Sequence, residues 1–560
     1  MTAGVADHLI VLPILLPLLA GAAMLLFDER RIALKRAVSL ATTVLVLGNA
    51  LLLLRYNIAA GFDGATATRA YLLGDWPGAI GIVLVADWLS VLMVLLTGVL
   101  ALCALIYATA RWDRAGPRFH TLLMLQLMGI NGAFLTGDLF NLFVFFEVLL
   151  AASFGLMLHG SGVNRVRAGL HYVAISIAGS LLFLIGTALI YSVTGTLSMA
   201  ELALQIPATA GRDLPVLQSG VAVLGLAFLL KAGMWPLGFW LPATYSAAAP
   251  PVAALFAILS KVGVYAILRI YLLLFGGQVG WSANFGEEWL LYGGLATLAF
   301  GTVGVLAARS LTRVAGYSLV ISSGTLLAAI GAVQGAQLGS VLYYLVSSTL
   351  GLAAFYLLVE LVERQEAQGS VQPIDEPVFD DEYTGALPVA EDTEVGVAIP
   401  ATIAILGGGF IFCALILAGL PPLSGFIGKF AIIDGLLRLS GPVAPTTWML
   451  VALIVASGLA TLIATTRAGI DLLWEPSDKP QPVLHLVEAA PVGVLLAVCL
   501  ALMVFAGPVM RYMDRTSQSL VDRQGYVEAV LAAPAGRGGA LGAQTRAAAA
   551  AEGPLAVTAR

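Results

Sequence analysis

Along most of the chain, apolar runs of about twenty residues alternate with short polar stretches, and the apolar runs carry almost no charge. A helix needs roughly 20 such residues to cross a bilayer. Lipid offers the backbone no hydrogen-bond partner, so each run reads as one spanning helix. The pattern predicts about fourteen spans, at 9–27, 37–54, 80–107, 119–136, 139–158, 169–192, 216–240, 250–275, 288–308, 314–333, 338–362, 398–437, 446–466 and 483–507. The expected fold class is therefore all-α, a polytopic membrane protein. The first run follows no basic segment and reads as a retained span, not a cleaved signal peptide.

Composition agrees with the pattern. Of 560 residues, 59% are hydrophobic and 11% charged, against about 25% charged in soluble domains, and mean hydropathy is +0.95. A soluble protein is excluded. Cys103, Cys413 and Cys499 lie far apart inside apolar runs, without the spacing of a metal or cluster site, so no metal or redox cofactor is expected. Net charge is −5 and the basic residues form no single patch, which argues against nucleic acid.

Basic residues do set an orientation. The clusters at 30–36, 111–118, 165–167 and 309–313 fall on one side of the membrane, whereas only Arg55, Arg69, Arg212 and Arg438 fall in the opposite loops. Positive charge marks the cytoplasmic side, so both termini are expected outside. The chain divides into an N-terminal three-helix segment (1–118), a unit of spans four to eight (119–275), a unit of spans nine to thirteen (288–466), a last helix (483–507) and a low-complexity tail (508–560). Within the third of these, the loop 363–397 holds ten carboxylates and reads as a solvated cytoplasmic linker.

Four basic residues remain inside predicted spans: Lys231, Lys261, Arg269 and Lys429. A charge at the bilayer centre costs roughly 2.5–3.5 kcal/mol, so it seldom persists without a use. Arg269, near the end of its run, is expected to snorkel to the interface. One carboxylate accompanies the lysines, Glu147 within FNLFVFFEVLLAASFGL, and is the natural counter-ion. Burial favours the neutral form of such groups and pairing favours the charged form, so a pair whose contact can change works as a proton switch.

Two lysines flank helix breaks. LLKAGMWPLGFWLP places Lys231 before Pro236, and LAGLPPLSGFIGKF places Lys429 after Pro421 and Pro422. Discontinuous helices 7 and 12 are expected here, since broken backbone is tolerated at membrane depth where it is buried in protein or lines a wet cavity. The breaks share the pattern PLGF and PLSGF and lie five spans apart. Two five-helix repeats, the second inverted in the membrane, follow from that spacing. Among the histidines, His8, His120 and His159 lie near helix ends and read as interfacial, His485 starts the last span, and His171, at the start of the sixth span, is a candidate proton relay.

These residues together resemble the antiporter-like subunits shared by respiratory complex I and the multisubunit Mrp (Pha, Mnh) monovalent cation/proton antiporters. The segments at 132–157, 229–269 and 417–430 look most like the D-type branch of the latter. The resemblance implies that Glu147 and Lys231 form the pair that drives proton movement, with Lys261 and Lys429 completing a polar axis along the membrane midplane. Where other members place a polar residue, Tyr245 stands. The eleventh helix, VLYYLVSSTLGLAAFYLL, lacks the His or Lys often found there, so a relay would need Ser347 and Ser348, Tyr343 or Tyr344, and water. The implied function is exchange of cytoplasmic Na+ or K+ for external protons by a hetero-oligomer in a bacterial inner membrane, with no cofactor. The alternative is a proton-translocating subunit of an NADH-quinone oxidoreductase-like complex.

Overall fold

The computed structural model describes residues 7–62, 68–276, 283–333, 337–369, 401–438, 443–473 and 484–533. Most of them are helical. In chain order the helices are α1 (Leu12–Leu25), α2 (Ile32–Phe62), α3 (Trp88–Ala108), α4 (Phe119–Leu135), α5 (Leu139–Met157), α6 (Val163–Thr194), α7 (Met199–Gln205), α8 (Asp213–Ala232), α9 (Trp240–Ala247) and α10 (Pro250–Ile270). There follow α11 (Glu287–Ala307), α12 (Leu311–Ala332), α13 (Leu338–Gly369), α14 (Ala401–Ala418), α15 (Ser424–Leu437), α16 (Pro445–Leu473), α17 (Leu486–Val504), α18 (Ala506–Val521) and α19 (Arg523–Leu531). Among the described residues, eleven helices are long and apolar enough to cross a membrane, and α1, α4 and Thr402–Ala418 are shorter apolar helices. The acidic linker falls mostly outside the described residues, as does the chain beyond 533.

Burial sorts these helices into an inner and an outer set. The α10 run is buried throughout, and α12 and α13 nearly so, as expected of helices apolar on every face. By contrast, α6 turns Leu170, Ile177, Leu181 and Ile185 outward. In a bilayer that face meets acyl chains at no hydrophobic cost.

Three expectations need correction. The third span does not start at residue 80: Val83–Ala86 is a strand (β2), paired antiparallel with Arg69–Leu72 (β1). The reason is local, since Asp87 and Ser90 form a capping box that fixes the first turn of α3 after the β-branched VLVA. Arg269 does not snorkel. It is buried, pairs with Asp87 through both terminal nitrogens, and lies against the Tyr526 ring at 5.5 Å. A buried partner at the start of α3 removes the need to reach water.

Residues 508–533, read as tail, form most of α18 and all of α19. Met513, Thr516, Ser517 and Leu520 make one buried face on α18 at helical spacing. Tyr512 donates to the Trp88 carbonyl at 2.9 Å, and Arg523 donates to the carbonyls of Leu273 and Ala203, each at 2.7 Å. At the opposite end of α13, Arg364 forks to Glu360 and Glu488 at 2.8 and 2.9 Å, while Arg111 and Tyr107 close on Glu360. This cluster ties α3, α13 and α17 together.

Candidate proton pathway

The two breaks are built alike. Helix α8 ends at Gly233 (φ +79°), where Met234 N–H donates to the Leu229 carbonyl at 3.0 Å. Helix α14 ends at Gly419 (φ +78°), where Leu420 N–H donates to the Leu415 carbonyl at 3.0 Å. A side chain at either glycine would be strained, because left-handed backbone favours residues without Cβ. Pro236 and Pro422 each stand three residues beyond the glycine, both after cis bonds.

Around the first break, Lys231 is buried and donates to Ser176 Oγ at 2.9 Å. Its amine also lies 5.7 Å from the Tyr172 ring, whose hydroxyl bonds Ser153 at 2.7 Å. Glu147 is close but not in contact: it lines, with Lys231, Gly179 and Ser180, one cavity with room for about one water. Its Oε1 is buried and has no hydrogen-bond partner among the described residues. The direct counter-ion contact expected from the sequence is therefore open in this structure.

Lys261 is fully buried and donates to Ser322 Oγ at 2.8 Å, which in turn donates to Ser348 Oγ at 2.9 Å. Ser322, Ser348 and Tyr344 line a second water-sized cavity whose far wall is Ile416, Leu417 and Gly425. Lys429 lies beyond that wall and donates to the carbonyls of Leu417 (3.1 Å) and Ala418 (3.0 Å), the free end of α14. Ser347 donates to Ser424 Oγ at 2.9 Å, at the start of α15. Serines, a tyrosine and a cavity thus reach from Lys261 to the Ile416 and Leu417 wall, and Lys429 bonds the Leu417 and Ala418 carbonyls.

Other candidates fall elsewhere. Tyr245 is buried in an aromatic wall with Trp240 and Phe256, 6.1 and 5.3 Å away, and Tyr172 stacks on Trp240 at 5.3 Å. Tyr343 donates to the Leu502 carbonyl at 3.0 Å and so anchors α17 instead of meeting the serines. His171 is exposed, bonded to the Arg167 carbonyl of its own helix at 2.8 Å. One residue from buried Tyr172 means about 100° around the helix, which turns its ring away from the interior.

Sequence reasoning missed Ser153, Tyr172, Ser176 and Ser322. The signal was present, since Tyr172, Ser176, Gly179 and Phe183 repeat at helical spacing and make the buried face of α6. Asp87 was missed as the partner of Arg269 because 182 residues separate them.

Comparison with known proteins adds to this geometry. Residues 136–376 match the family described as NADH:quinone oxidoreductase/Mrp antiporter, TM. The chain is 51% identical over 534 residues to the D subunit of a probable K+/H+ antiporter of Rhizobium meliloti, covering 94% of this chain and 98% of that one. It is 32% identical over 531 residues to the D subunit of the Na+/H+ antiporter of Alkalihalophilus pseudofirmus, covering 94% and 99%. A chain of the Mrp complex from a Dietzia species shares the fold, with a TM-score of 0.78 at 24% identity over 94% of this chain and 99% of that one.

Proposed function

This chain belongs to the family of D-type subunits of multisubunit Na+/H+ and K+/H+ antiporters, and from that premise we propose that it carries the proton pathway of a monovalent cation/proton antiporter. It works as one member of a hetero-oligomer in a bacterial inner membrane, a secondary transporter with no chemical step of its own. Fourteen spans, with both termini outside, arrange spans four to eight and nine to thirteen as inverted repeats. The like-built breaks at Gly233 and Gly419 support that reading.

The observation that carries the function is a buried amine on Ser176 facing, across a water-sized gap, a half-buried carboxylate whose buried Oε1 has no hydrogen-bond partner. A swing of Lys231 from Ser176 to Glu147 converts two separated groups into an ion pair. Because pairing favours the charged forms and separation in a dry site favours the neutral ones, the swing changes how firmly the lysine proton is held. A proton that reaches Lys429 passes through water to Ser348 and Ser322 and so to Lys261. Tyr344 lines the same cavity. The field of each newly charged lysine biases the next pair, and the exchanged cation moves against the resulting proton flow.

The test uses the purified complex in proteoliposomes with an imposed pH gradient and Na+, Li+ or K+ added in turn. Cation-dependent proton movement without NADH is expected, and its loss in Glu147→Gln with the complex still assembled. Wild-type rates in that variant would overturn the pathway. A quinone reductase component, the other protein named in the family description, would show no cation dependence.

A further inference from the structure

The backbone of the first break is tied to a helix that carries none of the lysines. Past Gly233, Met234 N–H turns back to the Leu229 carbonyl and Gly238 N–H closes on the Met234 carbonyl at 2.7 Å. Trp235 N–H instead donates to Thr297 Oγ1, 2.8 Å away on α11. The roles at this contact are fixed by chemistry. A backbone amide only donates, and the Gly293 carbonyl, 2.6 Å on the other side of the hydroxyl, only accepts, so the Thr297 hydrogen points to Gly293 and a lone pair to Trp235. Thr297 is fully buried. One turn earlier on the same face, Gly293 leaves room for the neighbouring residue of the break: a Cβ there would lie 2.5 Å from Met234 Sδ. A missing side chain and a hydroxyl, four residues apart, thus seat Met234 and Trp235.

The second break cannot be held in this way. At the same distance past its glycine stands Pro421, which has no N–H to give. The backbone there is closed from within, Leu423 N–H on the Leu420 carbonyl at 3.2 Å. The seat on α11 therefore serves the break behind Lys231, the lysine that faces Glu147.

It is also continuous with the support of Lys261. Helices α11 and α12 pack with their backbones nearly touching. A Cβ on Gly324 would lie 2.5 Å from Leu298 N, next to Thr297, and one on Gly301 would lie 3.0 Å from Ile321 N, next to Ser322. Packing this close transmits a shift instead of absorbing it. Ser322 is the hydroxyl that holds Lys261. One helix pair thus carries two hydroxyls, one on the amine of Lys261 and one on the peptide four residues beyond Lys231.

We propose that Thr297 is a positioning residue that couples the first break to Lys261. A change in the hold of Ser322 on Lys261 displaces α12 and α11 together, and Thr297 carries the displacement to Trp235 and so to the base of Lys231. The inference rests on the proton-pathway reading above and adds a mechanical link to the electrostatic one. Thr297 touches neither lysine; it acts through the peptide it holds.

The test is made on the full complex, with two readouts. Deuterium uptake over residues 233–241 reports the tie itself: Thr297→Val, which keeps the shape and loses the hydroxyl, should raise it about threefold or more, and Thr297→Ser should leave it at the wild-type rate. Lys261→Met should change uptake over the same residues about threefold or more, and this response should vanish when Thr297→Val is also present. In proteoliposomes, Thr297→Val should lower the maximal exchange rate roughly tenfold with the apparent KM for the cation within about twofold, and Thr297→Ser should restore the rate. A break that ignores Lys261→Met, a response that survives Thr297→Val, wild-type flux in Thr297→Val, or no rescue by serine would each overturn the inference. Should the complex exchange no cation at all, the deuterium comparison still tests the coupling, so the two readings fail separately.

Discussion

Lys231 and Lys429 sit at breaks of the same construction and use them in opposite ways. Lys231 precedes its glycine turn, hangs on a side-chain hydroxyl of a neighbouring helix, and has an unpartnered carboxylate within reach. Lys429 follows its turn and reaches back to the carbonyls that end the first half of its own broken segment. One is held by a group it can leave, the other by the free end of a helix, where a cation is favoured. Similar local backbone therefore does not imply similar chemistry: on the proposed reading, the position of one residue relative to the turn makes the first site a switch and the second a latch.

The comparison can be broken most directly at the switch. Lys231→Arg and Glu147→Gln should each reduce exchange to background, a fall of more than about 100-fold, since a guanidinium cannot release its proton; flux in proteoliposomes reads this. Lys429→Arg is expected to keep a measurable fraction of wild-type flux, because a latch needs only a donor, while Lys429→Met should fall toward background. Equal loss in Lys231→Arg and Lys429→Arg would erase the distinction.

Ser322→Ala removes one hydrogen bond to a charged group, about 1.5–3 kcal/mol, and should slow single-turnover proton uptake roughly tenfold or more without changing assembly. At the small end, Tyr343→Phe and His171→Gln should leave flux within about twofold of wild type, since neither side chain meets the serines or lysines. A tenfold loss in either would return that residue to the relay.

Much of this was legible in the sequence. Long apolar runs fixed most helices, because in lipid the backbone has no alternative, and the lysines stood out against hydrocarbon by their cost. The two breaks were readable from glycine and proline alone. What was not readable depended on distant residues or on weak local signals. Asp87 neutralises Arg269 from across the fold, and Glu147 faces Lys231 across a gap that no spacing encodes. Helix α18 gives only a weak signal as an apolar run because it is polar on average, although it is strongly amphipathic.

Helix α13 is tethered at both ends: to Leu502 through Tyr343 near its start, and to the paired carboxylates through Arg364 near its finish. Sliding it along its axis would stretch both tethers together, so Ser347 and Ser348 work within a fixed frame. On the proposed pathway their part in conduction is rotation of hydroxyl groups, which is far faster than the microseconds a moving helix requires. Conduction between the two inner lysines should for that reason be indifferent to bilayer viscosity, leaving any slow, lipid-sensitive step to the half of the molecule that holds the switch.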